Sequence, residues 1–399
     1  MPLNLQLALT AFAWFIALLW LWKAITAAFN LRRVPDLTEP RYNLTPTGSP
    51  SLTVIVPARN ESTNIAACLQ SLLNQEQDQQ YLNLHIIAVD DRSTDDTGAI
   101  MDALGANHPD KLSILHITEL PSGWLGKTHA MASAARHAIA LHRPDYLLFT
   151  DADILFRPDA LRLALAHAVA TQADHFVILP TTIIKSFGEG MLLSYLQVMG
   201  LWAVRTWQVA NPKAVRDAVG VGAFNLLRTT VYQYLGGFDA LRMQIVEDLA
   251  LGRRIKRAGF RQRIATGPGL VSLHWASGVS GILNGLMKNL FAIFNFSPSR
   301  VLLSSLWLTI FCIAPAAFLA IPQTQTPAIL TFASIASLYF LSSRQGKVSL
   351  WYAFLFPLSA LLIVFSILRS MFTTLINGGV TWRGTFYPLA ELRKNAGSL

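Results

Sequence analysis

The chain is short of charge and of cysteine. Only 14% of its 399 residues are Asp, Glu, Lys or Arg, against about 25% in an ordinary soluble domain, and this excludes a simple cytosolic enzyme. Its two cysteines, Cys68 and Cys312, stand in unrelated settings, one in a helical pattern and one in an apolar run. A disulfide framework and a Cys-rich metal site are therefore excluded, and a reducing compartment fits. Acidic residues are the scarcer sign: 23 against 32 basic ones, a formal net charge of +9. Beside long apolar runs, that balance reports attraction to anionic lipid headgroups and the positive-inside bias, so no nucleic-acid partner is expected.

Apolar residues are abundant, at 52%, with a mean hydropathy of +0.40. Residues 5–22 are 18 uncharged, mostly apolar residues followed by Lys23, Arg32 and Arg33, close to the ~20 needed to cross a bilayer as a helix. Neither a charged stretch before this run nor a small-residue cleavage site after it marks a signal peptide. The expectation is an uncleaved anchor with its N-terminus outside. Further apolar segments lie at 301–321, 327–341 and 349–367, the last running apolar to 376. With the catalytic domain cytosolic, simple alternation puts Arg344 and Lys347 inside but Arg383, Arg393 and Lys394 outside, against the charge rule. A segment 349–376 interrupted by Pro357, folded as a hairpin or lying partly in the interface, returns the tail to the cytosol. The expected organisation is an anchor (1–30), a cytosolic domain (50–275), an interfacial amphipathic helix (276–300), C-terminal transmembrane segments (301–377) and a basic tail (378–399), in a multi-pass protein of the cell (inner) membrane.

Between residues 50 and 275, β-rich runs (LTVIV, LHIIAV, LSILHI, YLLFT, FVILP) alternate with helical patterns. This is the pattern of an α/β fold with a mostly parallel sheet. Ligands bind beyond the carboxyl ends of such strands, and the residues there are polar. Pro57, Asn60 and Glu61 follow the first run, Asp90 and Asp91 the second, and Asp151 and Asp153 the fourth. The Asp-Ala-Asp element offers hard oxygen ligands, with no His or Cys nearby, suited to Mg²⁺ or Mn²⁺ on a diphosphate. Asn60 is expected to open the next helix, and residues 93–97 read as capping residues. PSGWLGKT (121–128) falls one residue short of a phosphate-binding P-loop, with Pro121 at the first glycine position. Lys127 is left free to meet a nucleotide diphosphate. Glu247 and Asp248 open a helix that Gly259 ends.

VIVPARNES, AVDDRSTDDT, GWLGKTHA, FTDAD, GAFNLLR and EDLALGRRIKRAGF, in this order, resemble a family 2 glycosyltransferase. The membrane-anchored bacterial enzymes that glycosylate hopanoids and carotenoids are the most similar, and ceramide glucosyltransferase more distantly. The resemblance implies a GT-A domain, a nucleotide-sugar donor such as a UDP-sugar, a divalent cation and inversion by single displacement. It implies that Pro57, Asn60 and Glu61 frame the nucleotide pocket, that Asp91 with Asp90 contacts uridine, and that Lys127 lies near the nucleotide. Asp151 and Asp153 correspond to the metal-binding pair, Asp153 the more direct ligand, and Asp248, after Glu247, to the catalytic base. The Q-x-x-R-W motif of processive members is missing: Trp275 has no preceding arginine. Transfer of one sugar to a membrane lipid is the expectation; a processive polysaccharide synthase and a non-catalytic membrane scaffold are the alternatives.

On the acceptor side, residues 280–296 place apolar side chains at helical spacing with Asn284, Lys288, Asn289 and Asn295 opposite. The apolar and aromatic stretch from Met191 to Trp207 is expected to pack on the sheet, with the lining of a lipid entrance as the alternative.

Overall fold

The computed structural model describes residues 2–75, 82–343 and 349–396; Arg344 and Lys347 lie outside the described residues. Helix α1 (Leu3–Asn30) comes first. The α/β domain runs through β1 (Ser51–Ala58), α2 (Ile65–Leu73), β2 (Asn83–Asp91), α3 (Thr97–Asn107), β3 (Leu112–Ile117), α4 (Gly126–Leu141), β4 (Tyr146–Phe149), β5 (Ile154–Phe156), α5 (Ala160–Ala170), β6 (His175–Ile178), β7 (Thr181–Thr182), α6 (Phe187–Ala203), β8 (Asn225–Arg228), α7 (Thr229–Tyr234), α8 (Glu247–Arg257), β9 (Gln262–Ala265) and β10 (Val271–Leu273). Then come α9 (Gly278–Ile293), the apolar helices α10 (Pro298–Leu308), α11 (Ala314–Phe318), α12 (Gln325–Ser343) and α13 (Phe356–Ile376), a hairpin of β11 (Gly379–Trp382) and β12 (Thr385–Pro388), and α14 (Leu389–Ala396).

The main sheet has the order β3-β2-β1-β4-β8-β6-β9. Only β8 runs antiparallel to its neighbours; the other pairings are parallel. Every residue of β4 and β6 is buried, because helices cover both faces, and this is why the strands read as continuous apolar runs. One face packs against α2 and α5, the other against α4 and α8. The ends of β2, β1 and β4 are therefore neighbours, and the three polar strand ends meet on one edge. Asn60 does not open a helix: it sits in the turn after β1 with φ +54, and α2 begins only at Ile65.

Among the described residues, four stretches are long and apolar enough to cross a membrane: Leu3–Arg33, Pro298–Phe318, Pro322–Ser343 and Leu350–Ile376. They share a core with α6 and α9. At its centre the Trp20 indole donates to Phe311 O at 2.9 Å and meets the rings of Trp202 and Phe356 at 5.1 and 5.4 Å. Helix α6 thus packs among the apolar helices rather than on the sheet. Its apolar residues run around the whole helix, and such a helix needs cover on every side. Pro357 does not interrupt the last apolar segment. It lies in the first turn of α13, where a missing N–H costs nothing.

Helix α13 begins beside α6, where Tyr352 packs on Phe187 at 5.3 Å. It passes along α9, where the Ser370 hydroxyl accepts from Phe291 N and donates to Met287 O, and delivers β11 to the polar edge of the sheet. The apolar face of α9, with Ile282, Leu286, Leu290 and Phe291, is buried in this helical core.

Candidate active site

The carboxyl edge of the sheet opens into a cavity of about 1140 Å³. Lys127, the second residue of α4, reaches across it. Its Nζ lies 2.5 Å from Asp151, just beyond β4, and 2.7 Å from Glu247, the first residue of α8. Burial opposes the ammonium charge, but Asp151, Glu247 and Asp248 outweigh it and hold the Lys127 pKa well above the usual lysine value. In return Lys127 keeps the Asp151 carboxyl below its usual range, against its own burial.

Asp248 follows Glu247 but is placed differently. Its Oδ2 accepts from the backbone N–H of Gly222 at 2.8 Å, and it has no lysine or arginine partner among the described residues. Burial first, and the Glu247 charge second, push its pKa up to about 7. The close approach of the 219–222 backbone to α8 requires glycine. A Cβ on Gly220 would lie 1.8 Å from Asp248 O, and one on Gly222 would lie 2.6 Å from the Asp151 carboxylate.

Asp153 lines the same cavity. Burial, then the charges of Asp151 and Glu61, push its carboxyl up to about 6, and among the described residues it has no ion-pair partner. Asp151 and Asp153 are hard oxygen donors of the type that a divalent cation takes. Among the described residues no group of three His, Cys, Asp or Glu side chains converges on one point.

Pro57, Glu61 and Asp91 also line the cavity. Asp91 is gripped by Arg92 through Nε at 2.8 Å and Nη2 at 3.1 Å. Asp90 and Asn60 are not on the wall. Asp90 faces its cross-strand neighbour: His116 Nδ1 lies 3.2 Å away, and Ser93 N–H donates to its other oxygen. Asn60 joins the β1 and β2 loops, its side chain accepting from Thr94 N at 2.8 Å and its N–H donating to Ser93 Oγ. The P-loop alternative for residues 121–128 meets a lysine already held between two acids.

Four residues that sequence reasoning missed complete the wall. Lys288 of α9 and Trp382, Arg383 and Tyr387 of the C-terminal hairpin all line the cavity. Lys288 Nζ stands over the Trp382 ring, 3.8 Å from its centre. Gly126 N–H donates to the Tyr387 hydroxyl at 3.3 Å. The available signal was Arg-Gly between VTW and TFY: two turn residues flanked by β-formers mark a hairpin. Away from the acids the cavity wall turns apolar, with Leu193, Leu196 and Leu201 of α6, Ile245 and Met287.

Residues 53–227 match the model of "Glycosyl transferase family 2". Curated relatives include 4,4'-diaponeurosporenoate glycosyltransferases of Staphylococcus aureus, 28% identical over 206 residues, which are 51% of this chain and 50% of the relative. The chain therefore spans about half the length of the curated relatives it matches. Among solved structures, the mannosyltransferase PcManGT from Pyrobaculum calidifontis, in complex with GDP-Man and Mn²⁺, is 21% identical and superposes with a TM-score of 0.53 over 92% of this chain and 98% of that one; this likeness concerns the GT-A fold. The ordered strand-end motifs and the sheet agree with the family match, which likens residues 53–227 to glycosyl transferase family 2.

Proposed function

We propose that this protein is a membrane-anchored glycosyltransferase that moves one sugar from a nucleoside-diphosphate sugar, a UDP-sugar, to a lipid acceptor with inversion of the anomeric centre. The observation that carries the reading is the placement of Asp248. It is a carboxylate without an ion-pair partner among the described residues, lining a cavity that also carries Asp151, Asp153 and apolar residues of α6. The names of the staphylococcal relatives, which specify 4,4'-diaponeurosporenoate, and the ligands of PcManGT support the acceptor and donor classes.

In this reading Asp248 accepts the proton of the acceptor hydroxyl, whose oxygen forms the bond to the anomeric carbon. The bond from that carbon to the diphosphate breaks, and its electron pair leaves on the phosphate oxygen. General-base catalysis of this kind contributes about 10²- to 10⁴-fold. Gly222 N–H aims the carboxylate, and the Glu247–Lys127–Asp151 chain keeps the base's neighbours charged and fixed. Asp153, with Asp151, would hold Mg²⁺ or Mn²⁺, which supplies neutralisation of the leaving diphosphate's charge. Pro57, Glu61 and Asp91 face the nucleotide.

The membrane arrangement belongs to the same proposal. The hairpin after α13 lies against the catalytic domain, so the tail shares its cytosolic side. Both ends of α13 touch catalytic-domain neighbours, which supports an α13 that lies along the cytosolic interface, with α1, α10–α11 and α12 spanning the inner membrane.

The test is turnover of UDP-sugars by detergent-purified protein with lipid extract and Mn²⁺. A lipid carrying one added hexose, seen by mass spectrometry, is expected. Longer products would favour a polymer synthase, and no turnover with any nucleotide sugar would favour a scaffold.

A further inference from the structure

Residues 379–388 lie outside the family-matched segment, yet they form part of the cavity wall beside its acids. The hairpin turns through Arg383 and Gly384, which have φ values of +50 and +77 between the paired residues Trp382 and Thr385. A two-residue turn with both central residues in the left-handed region favours Asn-Gly or Gly-Gly, because a long side chain is disfavoured there. Arginine is held in a conformation that suits other residues better, and such an outlier points to a use for its side chain.

The guanidinium lies over the loop after β1. One terminal nitrogen donates to Arg59 O and Asn60 O at 2.6 and 3.2 Å, and the other meets Glu61. The side chain remains 41% exposed. Beside it, Arg59 Nη1 donates to Thr385 Oγ1 at 3.4 Å, while Arg59 Nε is buried with no hydrogen-bond partner. Lys288 is fixed over Trp382. Among the described cations that line the cavity, Lys127 is held between two carboxylates, Arg383 meets one, Glu61, and Arg59 and Lys288 have no ion pair. The fields of Lys288 and Arg383 already fall on Asp151.

We propose that the C-terminal hairpin is the last wall of the donor site and that Arg383 binds the diphosphate of the nucleotide sugar there, with Arg59 and Lys288 beside it. A planar guanidinium suits the task, since its fork pairs with two phosphate oxygens at once. The inference rests on the donor class proposed above. The competing account is mechanical: Arg383 only latches the hairpin to the β1 loop.

Isothermal titration of wild type, Arg383→Asn and Arg383→Ala with UDP, GDP and uridine, each with Mn²⁺, separates these accounts. Asn is at home in the turn, so Arg383→Asn is expected to melt, unliganded, at or above the wild-type temperature and thereby report on a folded protein. Loss of a charge-assisted contact is expected to weaken nucleoside-diphosphate binding about 10- to 100-fold and leave uridine within about two-fold. Unchanged diphosphate affinity in both variants would overturn the inference and leave the proposed function standing. Equal losses for UDP and uridine would also overturn it, in favour of the latch. A wild type that binds neither diphosphate would overturn the donor class and the inference together.

Discussion

Lys127, partly exposed, and Glu247, buried, form an ion pair at 2.7 Å. The pair occupies the first carboxylate of the Glu247-Asp248 dipeptide, whereas the second has no ion-pair partner among the described residues and accepts from the backbone N–H groups of Gly222 and Leu249. Two adjacent acids at one helix start thus acquire different chemistry from what each faces.

Replacing Asp248 by Asn should lower kcat by about 10²-fold or more while the fold persists, since the amide oxygen can still accept from Gly222 N–H. Turnover near the wild-type rate would remove Asp248 from the role of base.

The acid limb of the activity profile should follow the same carboxyl. Its pKa stands near 7, and only the ionised form accepts a proton, so kcat/KM should fall as pH drops through about 7. The Glu247 charge helps hold that value up; in Glu247→Gln the limb should move to lower pH. An unmoved limb would mean that another group controls it.

Stability should respond in the opposite sense. The folded pKa exceeds the ordinary carboxyl value of 3.8, so the native state holds the extra proton between those limits and loses stability as pH rises through about 7. Asp248→Asn should therefore raise the melting temperature more at pH 8 than at pH 5 and change it little below about pH 4. Equal melting temperatures at pH 8 would contradict the burial assigned to the ionised carboxylate.

Asp153→Ala should abolish the metal-dependent part of stabilisation by UDP in a thermal melt, because a ligand that binds the folded state alone raises its apparent stability. Persistence of the full Mn²⁺ effect would place the ion elsewhere.

The side of the tail can be read by labelling. Ala390 is exposed, and both native cysteines are buried, so Ala390→Cys offers one accessible thiol. A membrane-impermeant maleimide should reach it in inverted vesicles and not in intact spheroplasts. Labelling from outside would overturn the cytosolic tail.

The strands were legible because a sheet covered on both faces tolerates long runs of Val, Ile and Leu, and the acids at their ends had no structural reason to follow such runs. The opening of α8 was legible for a similar reason, since Glu247 and Asp248 suit a first turn and Gly259, at φ +83, closes the helix. What escaped was set by neighbours distant in sequence. Asp90 reads like Asp91 until β3 places His116 against it. Arg383 reads as a tail charge until α13 carries the hairpin back over the site. The surroundings of α6 were hidden because apolar residues on all sides name no partner, and α1, α9, α12 and α13 became its neighbours only through the tertiary fold.

The hairpin also orders events during synthesis. Every apolar helix precedes Arg383 and Tyr387 in the chain, so the ribosome makes the cavity's final wall after the last of them. A nascent protein already has its carboxylates and its sheet while that side of the pocket is still open. The pocket is enclosed only once helix α13 has found its place along α9, which makes correct membrane assembly a precondition for a finished site.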